Sequence, residues 1–127
     1  MTENEIGTIV VKCSIQVHQA LGPGLLESVY QKILAHELVL QGLDVQTEVG
    51  IPINYNGIEF DEGFRADIVV NNKIILELKS LEMITPVHMR QLQTYLRLTG
   101  MRLGYLLNFG DVLMKDGIRR AVNGLEE

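Results

Sequence analysis

Cys13 is the one cysteine among 127 residues, so no internal disulfide can form. No Cys/His cluster has the spacing of a zinc site. No apolar run approaches the length of a membrane span. The opening MTENE is acidic and lacks the basic-then-apolar layout of a signal peptide, so a cytoplasmic protein is expected. Bases are short too: 11 Lys and Arg face 16 Asp and Glu, a net charge of −5. That balance argues against a dedicated, high-affinity nucleic-acid binder. No Gly-rich loop runs into Lys-Ser or Lys-Thr, which excludes phosphate cradling in the manner of nucleotide hydrolases. There is no Gly-x-Ser-x-Gly elbow, Cys13 has no evident base partner, and His18, His36 and His88 are scattered.

What is present reads as one globular domain over residues 1–127, with 46% hydrophobic and 21% charged residues. Charge is uneven along it. Residues 1–63 hold nine acids and two bases, whereas residues 82–120 hold six bases and three acids. A modest basic surface in the later half is one reading of this, and a solvated face is the other.

Thr2 and Glu5 fit a capping box, and Ile6, Ile9, Val10, Cys13 and Val17 recur at helical spacing, predicting a helix over about residues 3–21. Gly22-Pro23-Gly24 breaks it, and a second amphipathic helix carries Leu26, Val29, Tyr30, Ile33 and Leu34 before ending near Gln41. Residues 43–49 alternate as a strand. Ile51, Ile53 and Tyr55 face Ile58 and Phe60 across Asn56-Gly57, a strong hairpin signal. Thr85-Pro86 opens a helix that stops at Gly100, and residues 103–109 form an apolar run suited to a buried strand. The tail reads as turns with one short helix from Gly117. Strands come in a block rather than alternating with helices, so the fold class is α+β or mixed α/β, a sheet with helices packed on it.

The stretch FRADIVVNNKIILELKS, residues 64–80, organises the rest. It reads as two strands joined at Asn71-Asn72. Glu77 and Lys79 share one face with Ile75, while Ile74, Leu76 and Leu78 share the other. A strand apolar on both faces belongs in the centre of a covered sheet, where charge is costly unless it is paired or holds a metal. A strict two-residue turn would pair Val70 with Lys73 and turn Asp67 away from Glu77. Convergence therefore demands one extra residue, as a three-residue loop or a bulge. The bland alternative is a Glu77–Lys79 ion pair at a frayed strand end.

Other pieces add to these. Glu27 lies one turn before Tyr30 on the second helix; it is either an exposed first-turn acid favoured by the helix dipole or a group turned inward. Gln91 and Tyr95 stand at i and i+4 on the later helix, and Arg65 lies on the Asp67 side of its strand. Three carboxylates (Asp67, Glu77, Glu27) and one lysine suit a hard cation, Mg²⁺ or Mn²⁺, which can ready a water and stabilise charge on a phosphate oxygen. Lys79 would be a point charge beside that water or phosphate.

Asp67 followed by Glu77-Leu78-Lys79 resembles the D…ExK core of the PD-(D/E)XK nuclease superfamily, and Gly24-Leu-Leu-Glu27-Ser-Val-Tyr30 resembles the signature of its GxxExxY subfamily. The resemblance extends through FRADIVV, IILELKS, the PVHxxQLxTYLxLTG stretch and the LLNF…KDGIRR tail. It implies a restriction-endonuclease-like core with a mixed central sheet flanked by helices. It also implies that Asp67, Glu77, the Leu78 carbonyl and Glu27 hold the metal, and that Lys79 assists the attacking water. Gln91 and Tyr95 resemble the pair that approaches the metal site or the strand in exonuclease-like branches. Tyr30, Arg65, Arg90 and Arg97 join them as candidate substrate contacts.

The leading expectation is a metal-dependent phosphodiesterase acting on DNA or RNA. A non-catalytic nuclease-fold module for binding or regulation is the alternative, and the acidic net charge favours it or an enzyme that needs a partner protein or a second copy. A hydrolase for small phosphate esters suits the charge but has no specific motif.

Overall fold

The computed structural model describes residues 1–61 and 64–126. Glu62 and Gly63, expected to lead into the central hairpin, lie outside the described residues.

Two helices come first, α1 (Glu3–Leu21) and α2 (Glu27–Leu40). The α1 cap is the one its sequence announces: Glu5 N–H donates to Thr2 Oγ1 and Thr2 N–H to Glu5 Oε1. Strands β1 (Val45–Gly50), β4 (Arg65–Val70), β5 (Ile74–Lys79), β6 (Leu103–Asn108) and β7 (Ile118–Val122) form one sheet in the order β1-β4-β5-β6-β7. The β5–β6 pair is parallel and the others antiparallel, so the sheet is mixed. Strands β2 (Ile53–Tyr55) and β3 (Ile58–Phe60) form a separate hairpin, with Asn56 and Gly57 both at positive φ as a tight primed turn needs.

Helix α3 (Pro86–Thr99) supplies the crossover between the parallel strands. Its first turn is capped by His88, whose Nδ1 accepts from Thr85 N–H at 3.1 Å. A short α4 (Met114–Gly117) precedes β7. The tail thus departs from the expected turns with a helix starting at Gly117: that residue ends α4, and the chain continues as an edge strand. The paired Arg119 and Arg120 break the alternation that would have marked β7, and charges of this kind are how edge strands resist further pairing.

The sheet is covered on both faces. Ile6, Val10, Cys13 and Val17 of α1 and Tyr30, Leu34 and Leu38 of α2 bury against Ile68, Val70, Ile74, Leu76 and Leu78. On the other face Leu92, Tyr95 and Leu96 of α3 pack on Val69, Ile75 and Leu106. Gly104 permits that approach, because a Cβ there would stand 2.9 Å from Leu92 Cδ1 and 3.1 Å from the Ile75 carbonyl oxygen. Two-sided cover explains why β5 is buried on both faces, and why any charge along it needs a reason. Among the described residues no helix is long and apolar enough to cross a membrane.

Candidate active site

The central hairpin has the extra residue that carboxylate convergence demands. Val70 pairs with Ile74, leaving Asn71, Asn72 and Lys73 between them. Asn71 and Asn72 both take φ of 52°, a left-handed conformation that asparagine tolerates better than most residues, and Lys73 N–H closes onto the Val70 carbonyl at 2.9 Å. The register runs on through Val69–Ile75 and Ile68–Leu76, so one further step sets Asp67 across from Glu77. There the ladder stops and the Asp67 side chain takes over: Leu78 N–H donates to Asp67 Oδ2 at 2.8 Å. In a strand the N–H and C=O of one residue leave on the same side, so the Leu78 carbonyl faces the same gap.

Glu77 is 4% exposed, and its Oε1 has no hydrogen-bond partner among the described residues. Burial, and then the neighbouring Asp67 carboxylate, push the Glu77 carboxyl up to about 9. Burial also raises Asp67, against the pull of the Leu78 N–H, and the Asp67 charge further favours the protonated form of Glu77. Lys79, half-buried on the same face, favours the charged form of both. A buried carboxyl with an orphaned oxygen, beside a second carboxyl, is unfavourable as an apolar-core element. It fits a divalent cation: two hard oxygen donors, a backbone carbonyl facing the same gap, and a charge deficit that a metal would relieve.

Tyr95 joins from α3. It is buried, burial and then the charges of Glu77 and Asp67 raise its phenol, and the Arg65 backbone hydrogen-bonds to it. Gln91, one turn earlier, is exposed and shares with Tyr95 an open hollow that Arg90 also lines. Arg97 sits beside that hollow, its Nη2 donating to Thr94 Oγ1 at 3.1 Å.

Two expected site residues, Glu27 and Tyr30, are elsewhere, while Arg65 borders the site. Glu27 is the first residue of α2, exposed beside Leu25, Leu26, Ser28 and Ser80. Among the described residues no group of three or more His, Cys, Asp and Glu gathers as a metal site, so Glu27 does not complete a three-carboxylate cluster. The reason is topological: α2 covers the face of the sheet opposite to Tyr95 and α3, and only the Ser80 end of the β5 strand reaches it. Tyr30 is fully buried rather than open to a substrate. Its ring stacks on Phe109 at 4.4 Å, and its hydroxyl donates to the Gly22 carbonyl and accepts from Leu25 N–H. Arg65 is exposed, with Nη1 donating to the Glu48 carbonyl at 3.3 Å.

Two residues were missed from sequence. Glu48 of β1 lies across from Asp67, since its neighbours pair as Thr47–Ile68 and Val49–Ala66, and its charge raises Asp67 further. It holds φ at 52°, and its Oε1 accepts from Gln31 Nε2 at 3.1 Å. Asn108 is fully buried at the end of β6, in register with Lys79. Its Nδ2 donates to the Leu81 carbonyl and to Asp111 Oδ2, while its Oδ1 accepts from Leu81 N–H, each at 2.9 Å. That clasp fixes the chain where it leaves Lys79. A lone asparagine in the apolar run LGYLLNF was the available signal.

Against this geometry, a family model described as PD-(D/E)XK nuclease superfamily matches residues 4–121. The chain belongs to the PD-(D/E)XK nuclease superfamily. Its mixed five-stranded sheet with flanking helices is consistent with the restriction-endonuclease-like fold of that superfamily. No curated protein matches the chain significantly. Among solved structures it is similar to one titled "Crystal structure of SSO0001", with 23% identity, 95% of this chain and 79% of that chain covered, and a TM-score of 0.44.

Proposed function

We propose that this PD-(D/E)XK chain is a metal-dependent nuclease, hydrolysing phosphodiester bonds of DNA or RNA, and that it falls within the GxxExxY subfamily. The single observation that carries the reading is Glu77: a carboxyl buried in a central strand beside Asp67, with one oxygen lacking a hydrogen-bond partner among the described residues. Structural stability alone gives no reason to keep two adjacent acids there.

Asp67, Glu77 and the Leu78 carbonyl would hold Mg²⁺ or Mn²⁺. Bound there, the ion supplies a lowered water pKa and Lewis-acid stabilisation of charge on a phosphate oxygen. The chain's own residues do the rest. The Leu78 N–H holds Oδ2 of Asp67, which keeps that carboxyl beside Glu77. Lys79, an ammonium with three donors and no acceptor, points its charge at the attacking water or the phosphate without competing for the ion. Tyr95 and Gln91 contact the strand on the α3 side, with Arg90 and Arg97 as phosphate partners. Glu27 approaches from the Ser80 end, as an accessory acid rather than a member of the central pair. A lone, buried Cys13 suits a cytoplasmic setting.

The position of Glu27 favours the second reading, a nuclease-fold module without chemistry. The two are separated by assaying Mg²⁺- or Mn²⁺-dependent cleavage of single-stranded and duplex DNA and RNA, beside Glu77→Ala. Cleavage by the parent and none by the variant supports the nuclease. Metal binding without cleavage of any of the four substrates supports the module.

A further inference from the structure

The hollow in front of Tyr95 has features that phosphate chemistry leaves unused. It encloses about 300 Å³ and is lined by Phe64, Val87, Arg90, Gln91, Thr94 and Tyr95. Phe64 meets Tyr95 edge-to-face, with centroids 6.2 Å apart and planes at 87°. Even so, Phe64 stays 37% exposed and Val87 63% exposed. An aromatic ring and a valine open to water at the mouth of a cavity are a contact surface waiting for an apolar partner. That partner carries polar groups as well. Gln91 offers both donors and an acceptor, and among the described residues its amide makes no hydrogen bond. It is also anionic. In a chain with 16 acids, the 14 residues of α3 contain none, while Arg90 and Arg97 stand on it beside the hollow.

A flat apolar ring, a hydrogen-bonding edge and flanking negative charge together describe a nucleotide. We propose that this hollow is a nucleobase subsite, in which the base beside the reacting phosphate stacks on Phe64, Gln91 hydrogen-bonds to its edge, and Arg90 and Arg97 hold the flanking phosphates. The proposal rests on the nuclease reading and narrows it. A base stacked on a side chain has left its own duplex stack, so the substrate is a single strand or an unpaired end. Continuity with the chemistry comes through Tyr95, which lines the hollow on one side and approaches Asp67 and Glu77 on the other. If Phe64 did no more than shield Tyr95, leucine would replace it without consequence for ligands.

The chain has no tryptophan, so Phe64→Trp gives one indole at the subsite. The full-length variant is titrated in Ca²⁺, to hold substrate uncut, with a short thymidine single strand, the same strand with abasic sugars, a blunt duplex and thymidine monophosphate. Saturable quenching by the single strand, and little by the abasic strand or the duplex, is expected. In the otherwise unchanged protein, Phe64→Ala and Phe64→Leu should each weaken single-strand binding on the order of ten-fold and leave abasic-strand binding alone. That comparison decides the matter even if Phe64→Trp folds poorly. Quenching by the monophosphate as strong as by the strand supports the subsite and assigns it to free nucleotides. Equal binding of base-bearing and abasic strands, with no quenching, overturns the subsite while a cleaving parent keeps the nuclease reading. A parent that neither binds nor cuts any strand removes both.

Discussion

At the scale of single residues, the informative side chains are those whose surroundings contradict their chemistry. Glu77 is the clearest. Its carboxyl titrates near 9 in the folded, metal-free protein, against an ordinary carboxylate value in the unfolded chain. Between those values the folded state holds a proton that the unfolded state has released, so stability falls as pH rises. The metal-free protein should therefore lose stability from about pH 5 toward pH 9, with a limiting slope of about 1.4 kcal/mol per unit. Glu77→Gln should flatten that slope, because the amide fills the same space without titrating. Urea midpoints across this range in a chelator test it, and parallel curves for parent and variant would refute the assignment. Tyr30 presents the opposite case, a presumed ligand contact that holds the fold. Tyr30→Phe keeps the stack on Phe109 and loses both hydrogen bonds to the Gly22–Leu25 turn, which should cost about 1–3 kcal/mol in denaturant unfolding. A change in substrate affinity with unchanged stability would restore it as a substrate contact.

At the scale of elements, most of the fold was legible because local signals agreed with global placement. The Thr2–Glu5 box, the Asn56-Gly57 turn and the Thr85-Pro86 start each have one dominant structural solution, and each is found. The demand that Asp67 meet Glu77 required one extra residue, as a three-residue loop or a bulge, and the chain takes the loop, Asn71–Lys73. What could not be read was which layer each helix covers. Periodicity shows that α2 has a buried face but not which side of the sheet that face meets, so Glu27 was placed with Asp67 and Tyr30 with the ligand. Glu48 escaped because its importance comes from lying across a strand pair, a long-range fact, and β7 because two arginines interrupt its pattern. The element that best repays a direct test is α3. Arg90→Glu and Arg97→Glu each remove a cation and add an acid to a helix that has none. Both should weaken nucleic-acid binding. Each lost phosphate contact should flatten the slope of log affinity against log salt by about 0.7–0.9. Filter binding over a range of salt reads this, and slopes equal to the parent's would reduce α3 to a solvated face.

At the scale of the whole molecule, the question is whether the charges stored in the sheet serve a reaction. A domain of this size is stable by only about 5–15 kcal/mol, so two carboxyls buried together are a substantial burden on the metal-free protein. A ligand that binds only the folded state offsets it by mass action, so Mg²⁺ or Mn²⁺ should raise the melting temperature, and Asp67→Asn or Glu77→Gln should remove that gain. Lys79 separates binding from chemistry. It contributes no lone pair, so Lys79→Met should leave the metal-induced stabilisation intact or slightly enlarged, since a positive charge beside the ion is gone. If its role is to stabilise charge during phosphodiester hydrolysis, the same variant should lose roughly 10²–10³-fold in turnover. Glu77→Ala should lose metal binding and cleavage together. The panel is parent, Lys79→Met and Glu77→Ala, each measured for thermal shift with Mn²⁺ and for cleavage of single-stranded and duplex DNA and RNA. A Lys79→Met protein that binds metal and still cuts at the parental rate would remove Lys79 from the reaction. Cleavage that persists in both variants would trace the activity to a contaminant rather than to this chain.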